Sequence, residues 1–121
     1  MQVACCQFDI AWEDKPANFR KVAAMVRGAD LAPGTLLVLP EMFATGFSMN
    51  AAALNEPVTG ETASFLSTLA SGHRIYVLGG VAVRGPDGKP RNESLVFDPH
   101  GAPVARYAKA YPFSPGREGE H

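Results

Sequence analysis

The sequence predicts an α/β layered domain with a mixed sheet, its elements running β-α-β-α-β-β-β. Three observations carry this. Short apolar runs bounded by turn residues, such as "TLLVLP" and "RIYVLGGVAVR", have the length of strands. Helical spacing of apolar residues separates the early runs, which is how successive strands of an α/β sheet are joined. The later runs are joined only by "GPDGKP" and "HGAP", which suit hairpins.

Val3 to Ile10 reads as the first strand, a short apolar stretch followed by turn-prone residues. In "EDKPANFRKVAAMVRGAD", Asp14 can cap a helix and Pro16 fits its first turn. Phe19, Val22, Ala23 and Val26 then fall at helical spacing. "LAPG" interrupts, and Thr35 to Pro40 follows as a continuous apolar strand of the kind buried on both faces. Thr59 and Glu61 suit a second helix start, with Thr62, Phe65, Leu66 and Leu69 as its stripe and Gly72 at its end. "RIYVLGGVAVR", "RNESLVFDP" and "VARYAKAY" are the last three strands. Within the first of these, Gly79-Gly80 suits close approach of another backbone.

The 121 residues suffice for one modest domain. A hydrophobic content of 46% with 19% charged residues is that of a globular chain. A net charge of −1 leaves no electrostatic footprint for nucleic acid or an anionic membrane, and neither is expected as a partner. "MQVACCQFDI" lacks a basic leader and meets Asp9 and Glu13 too soon for a signal peptide or membrane span. Cys5 and Cys6 are adjacent, so on a strand they point to opposite faces and are poorly placed to pair. Small core-filling thiols in a reducing cytoplasm are the expectation. The three histidines sit by turns or at the terminus, and no Cys/His set has metal-ligand spacing. There is no P-loop and no G-x-G-x-x-G, so no cofactor or metal is expected. Ser48 lacks the partners of a Ser-His-Asp set.

Two residues remain that could carry chemistry. Glu41 ends an apolar strand in "LVLPEMFATGFSMN", and ligand sites in open α/β sheets form just outside the carboxyl ends of strands. Burial beside Met42, Phe43 or Phe47 would make it a usable base near neutral pH; the alternative is a surface acid at a strand end. Lys109 lies on a strand face with Ala105, Tyr107 and Tyr111. There it could be a fixed cation for a developing oxyanion, or an edge-strand lysine that deters aggregation. Glu118 and Glu120, in "PGREGEH", look like solvated loop charges on their own merits.

Taken together, "LPEMFATGFSM" and "RNESLVFDPHGAPVARYAKAYPFSPGREGEH" resemble the carbon-nitrogen hydrolase (nitrilase) superfamily, and the resemblance spans essentially the whole chain. "VACCQFD", Asn18 near a helix start, "LPE", the Asn92 strand, the Gly101 turn and the "RYxK" strand fall in that family's order. "LPEMFxxGFxM" looks closest to the omega-amidase-like branch, which acts on small amides of dicarboxylic or keto acids. The resemblance implies the N-terminal part of an α-β-β-α sandwich, with Glu41 as general base and Lys109 as oxyanion-stabilising cation. It also implies a second glutamate positioning Lys109 and the substrate. Glu118 fits better than Glu120, because the family's glutamate stands four residues before an aromatic. The family's nucleophilic cysteine lies beyond His121, and neither Cys5 nor Cys6 matches it. Residues 1–121 are therefore expected to form one incomplete domain, inactive alone, with a small amide as substrate of the whole protein and a homo-oligomer as its assembly. The alternative is a shortened, non-catalytic relative acting as a binding module.

Overall fold

The computed structural model describes residues 1–110. Along the chain it forms β1 (Val3–Cys5), α1 (Lys15–Ala29), β2 (Leu36–Val38), α2 (Ala51–Leu54), α3 (Glu61–His73), β3 (Tyr76–Arg84), β4 (Pro90–Phe97) and β5 (Pro103–Ala108). The strands make one sheet in the order β1-β2-β3-β4-β5. β1, β2 and β3 are parallel neighbours, whereas β4 and β5 are added antiparallel. The sheet is mixed, as expected: parallel neighbours require crossovers, supplied by α1 and α3, and antiparallel ones need only turns. The order matches the sequence reading with one addition, the four-residue α2.

Asp14 Oδ1 accepts the Ala17 N–H at 3.0 Å and so caps α1, with Pro16 in its first turn. Val22 and Val26 are buried on its inner face. α3 does not stop at Gly72. It runs on to His73 and closes on Arg74 in the left-handed conformation, φ 57°, whose N–H donates to the Ala70 carbonyl. This turn feeds Ile75, fully buried, directly into the core. The α1 and α3 faces meet at three rings. Phe19 stacks on Phe65 at 4.4 Å between centroids, and fully buried Phe43, from the loop after β2, lies 6.2 Å from each.

Two strands depart from expectation. β1 spans three residues, not Val3 to Ile10. Cys6 N–H still donates to the Val38 carbonyl at 2.9 Å, but beyond it side chains meet the backbone, beginning with Lys21 Nζ on the Asp9 carbonyl at 2.5 Å. Asn18 Oδ1 accepts the Ala11 N–H at 2.7 Å, and Asn18 Nδ2 donates to the carbonyls of Ala11 and Ala44 at 2.8 and 2.7 Å. β2 is not buried on both faces. Thr35, Leu37 and Leu39 are buried, but Leu36 and Val38 are only partly covered, because α1 and α3 join the core through one side of the sheet. The chain thus forms one α layer on one β layer, with Val3 and Tyr107 about 60% exposed (59% and 61%).

Asn18 is fully buried and joins α1, the segment after β1 and the loop after β2. Asn18→Ala strands polar backbone groups at each junction, and urea unfolding is expected to show a loss of about 2–3 kcal/mol. A loss under about 0.5 kcal/mol, the range of an ordinary surface substitution, would mean that the three bonds do not hold the loop.

Candidate active site

The site grows from the way β2 ends. Leu39 N–H still donates to the Leu78 carbonyl at 3.0 Å, but Pro40 has no N–H to continue the ladder. The chain turns over Glu41–Thr45, and the N–H groups of Thr45 and Gly46 both reach the Met42 carbonyl, at 3.2 and 2.8 Å. Met42 itself sits at φ 53°, a conformation uncommon outside glycine. Two features hold this turn against the sheet. Phe43 is buried in the ring cluster, and a side chain at Gly80 on β3 would lie 3.2 Å from the Met42 nitrogen. Gly80 thus admits another backbone, as the sequence suggested, while Gly79 makes room for Leu66 and Phe43 side chains.

Glu41 therefore stands at the carboxyl end of β2, as expected, but not in an apolar pocket. Met42 and Phe43 are buried, while the Glu41 side chain is 51% exposed. The burial anticipated from its neighbours is theirs and not its own, because consecutive residues of the turn point different ways. The acid is paired instead. Lys109 Nζ donates to Glu41 Oε1 at 2.9 Å, and Asn92 Nδ2 donates to the same oxygen at 2.8 Å. Lys109 lies one residue past β5, and its backbone N–H donates to the Asn92 carbonyl at 2.8 Å. Its ammonium is also 5.7 Å from the centre of the Phe47 ring.

Sequence spacing thus brought Glu41 and Lys109 into view, and 68 residues of separation close to an ion pair. Glu118 and the alternative Glu120 lie outside the described residues, as does Tyr111. Asn92 was missed as a partner. The available signal was the alternation along β4, where Glu93, Leu95 and Phe97 are buried among the core-facing positions while Asn92 and Ser94 are only partly covered. Glu41, Asn92 and Lys109 line a depression of about 250 Å³, together with Leu78, Gly80, Ser94 and Tyr107.

Such a volume suits a small molecule or one side chain. An exposed ion pair contributes only about 0–1 kcal/mol to stability, so stability alone does not explain two donors converging on one oxygen beside a left-handed residue. Chemically, the arrangement offers a carboxylate that can accept a proton next to a cation that can face a developing negative charge.

The other polar residues named from sequence serve the frame. Ser48 is buried, donates to Glu13 Oε1 at 2.6 Å and accepts the Asn50 N–H at 3.0 Å. Cys5 and Cys6 do not both fill the core as expected: Cys5 is exposed and only Cys6 packs partly against the core. The two are unpaired and line a separate cavity against Met25 and Val26 of α1, with Cys6 Sγ 3.8 Å from Met25 Sδ. Burial pushes the Cys6 thiol up, away from the thiolate form. Neither thiol lines the depression that holds Glu41. Among the described residues there is no group of three potential metal ligands, and no helix is long and apolar enough to cross a membrane.

The carbon-nitrogen hydrolase family profile matches residues 2–121. Among curated proteins, the chain is 32% identical over 121 residues to an omega-amidase, YafV, of Yersinia enterocolitica, covering all of this chain and 45% of that protein. It is 28% identical over 113 residues to a 2-oxoglutaramate amidase of Bacillus subtilis, covering 92% of this chain and 43% of the relative. Among solved structures, a CN-hydrolase superfamily protein of Xanthomonas campestris, XC1258, superposes with a TM-score of 0.88 at 27% identity. The match covers 98% of this chain and 43% of that one. The chain spans about half the length of the curated relatives it matches.

Proposed function

Because this chain belongs to the carbon-nitrogen hydrolase family, we propose that the protein carrying it hydrolyses the C–N bond of a small amide of a dicarboxylic or keto acid, with Glu41 as base and Lys109 as oxyanion partner. The observation that carries this reading is the Glu41–Lys109 pair, 2.9 Å apart at the end of β2 in a depression of small-molecule size. The omega-amidase and 2-oxoglutaramate amidase relatives support the substrate class.

In this reading a cysteine outside residues 1–121 is the nucleophile. Glu41 takes the thiol proton, since the free thiol is mostly protonated at neutral pH. The thiolate attacks the amide carbon, and Lys109 with a backbone N–H steadies the negative charge on the amide oxygen. The tetrahedral species collapses, the proton passes from Glu41 to the leaving nitrogen, and ammonia departs from a thioester. Water, deprotonated by the same carboxylate, then hydrolyses the thioester and frees the thiol. Glu118 is assigned to positioning Lys109 and the substrate. Residues 1–121 alone are then inactive, and the open sheet face favours self-association when they are made alone. A non-catalytic binding module would not require the acid and the cation together.

Ammonia release from a small ω-amide by the full-length protein tests this reading. Lys109→Met, which keeps the side-chain length without the charge, is expected to lower kcat/KM about a hundredfold or more. No release by the wild-type protein, or undiminished release by the variant, overturns the assignment.

A further inference from the structure

One residue controls both members of the pair. Asn92, on β4, uses its main chain and its side chain at once. Its carbonyl accepts the Lys109 N–H at 2.8 Å, fixing the backbone from which the lysine reaches. Its Nδ2 donates to Glu41 Oε1 at 2.8 Å, the same oxygen that Lys109 Nζ contacts at 2.9 Å. Both side-chain bonds thus fall on one oxygen of the carboxylate, and among the described residues Oε2 receives no hydrogen bond. The register explains the reach: Asn92 pairs with Ala82, two residues beyond Gly80, the glycine against which the Glu41 turn rests.

We infer that Asn92 is the positioning residue that pins Glu41 through Oε1 and so presents Oε2 as the oxygen that takes the proton. The inference rests on the proposed role of Glu41 as base and goes beyond it, by saying which atom acts and what selects it. The physical reason is that a carboxylate at a half-exposed site rotates freely unless donors fix it. Lys109 alone, as a long and flexible ammonium, supplies charge but little orientation. A short amide on a paired strand supplies the orientation. It also leaves the second oxygen of this depression-lining carboxylate without a hydrogen bond from the described residues. The other titratable side chains lining that depression, among the described residues, are Lys109 and Tyr107.

The test is the pH dependence of kcat/KM for the full-length protein and for Asn92→Ala and Asn92→Asp. Removing a donor from the charged carboxylate favours its protonated form, so the acidic limb of Asn92→Ala is expected to move to higher pH. Asn92→Asp keeps the shape but sets a like charge against Glu41, so its limb is expected to move further in the same direction. A residue that only braced the strand would lower the plateau or the melting temperature and leave the limb in place. Limbs unmoved in both folded variants overturn the inference. If Asn92→Ala fails to fold, Asn92→Leu, which keeps the shape with neither donor nor charge, takes its place and its limb decides. Glu41→Gln separates the two levels: if it retains turnover, the base assignment itself fails. If it is inactive while the Asn92 limbs stay fixed, only the positioning role fails.

Discussion

Glu41→Gln in the full-length protein is expected to lower kcat/KM for a small ω-amide about a thousandfold, with little change in stability. Glutamine keeps a carbonyl oxygen where Oε1 now accepts from Lys109 and Asn92, so the turn has no reason to move. It removes the only property the mechanism needs, the ability to take a proton from a thiol and later from water. Base removal of this kind costs about 10² to 10⁴ in rate, and Glu41 is asked to act in both half-reactions, which favours the upper part of that range. The exposed pair with Lys109 holds the fold by about 0–1 kcal/mol, so the melting curve serves as the control. Turnover near that of the wild-type protein would remove Glu41 from the mechanism whatever its geometry suggests.

That geometry could be anticipated only in part. Local signals in the sequence located α1 through Asp14, Pro16 and the Val22/Val26 spacing, because each acts within a turn or two. They located the three late strands, because turns and alternation are also local. They misjudged the ends of α3 and β1, where tertiary contacts decide: Arg74 adopts a left-handed cap, and Asn18 takes the backbone groups of Ala11. Periodicity also could not say that Glu41 is exposed, since adjacent residues of a tight turn diverge while a window of sequence averages over them. That Glu41 and Lys109 serve one site was implied by family resemblance, while their ion pair, across 68 residues of sequence, is visible only in the structure.

The buried acids illustrate the same limit from the other side. Glu93 looks like one more strand charge, yet it is 1% exposed and takes a bidentate contact from Arg106 on β5. That hydrogen bonding, and then the charge of Glu93, hold the Arg106 guanidinium above its usual range. Only the registry of β4 with β5 reveals this, because it places Glu93 opposite Ala108 and Leu95 opposite Arg106.

Glu56→Ala is expected to destabilise the frame by about 3–5 kcal/mol, as much as truncating a buried aromatic, because it breaks a buried charge network from its centre. Glu56 is 6% exposed and precedes α3, where no side chain of the N-cap residue, Gly60, can satisfy the helix. Its carboxylate does so from outside: Oε1 accepts the Thr62 N–H at 2.6 Å, and Oε2 accepts the Thr62 hydroxyl at 2.9 Å. Oε2 also meets Lys15 Nζ at 2.6 Å, tying the start of α1 to the start of α3. Its backbone is fixed as well, with Glu56 N–H on the Ala82 carbonyl at 3.0 Å and Arg84 N–H on the Glu56 carbonyl at 2.8 Å. Gly60 leaves the space the acid occupies, since a side chain there would meet Glu56 Oε1 at 2.9 Å. Truncation leaves Lys15, 13% exposed, with the Leu54 carbonyl at 2.9 Å and a distant Glu61 at 3.5 Å, and it leaves the Thr62 N–H without its acceptor. Glu56→Gln keeps an oxygen for the Thr62 N–H but replaces Oε2, which accepts from Lys15 and the Thr62 hydroxyl, with an NH2 donor. With one of the two acceptors kept, its cost is expected to be smaller, about 1–3 kcal/mol. Urea unfolding of the two variants side by side checks the account. Equal losses would mean that the contacts of Oε2 with Lys15 and the Thr62 hydroxyl carry the whole effect, and losses under about 0.5 kcal/mol in both would mean that α3 is capped in some other way.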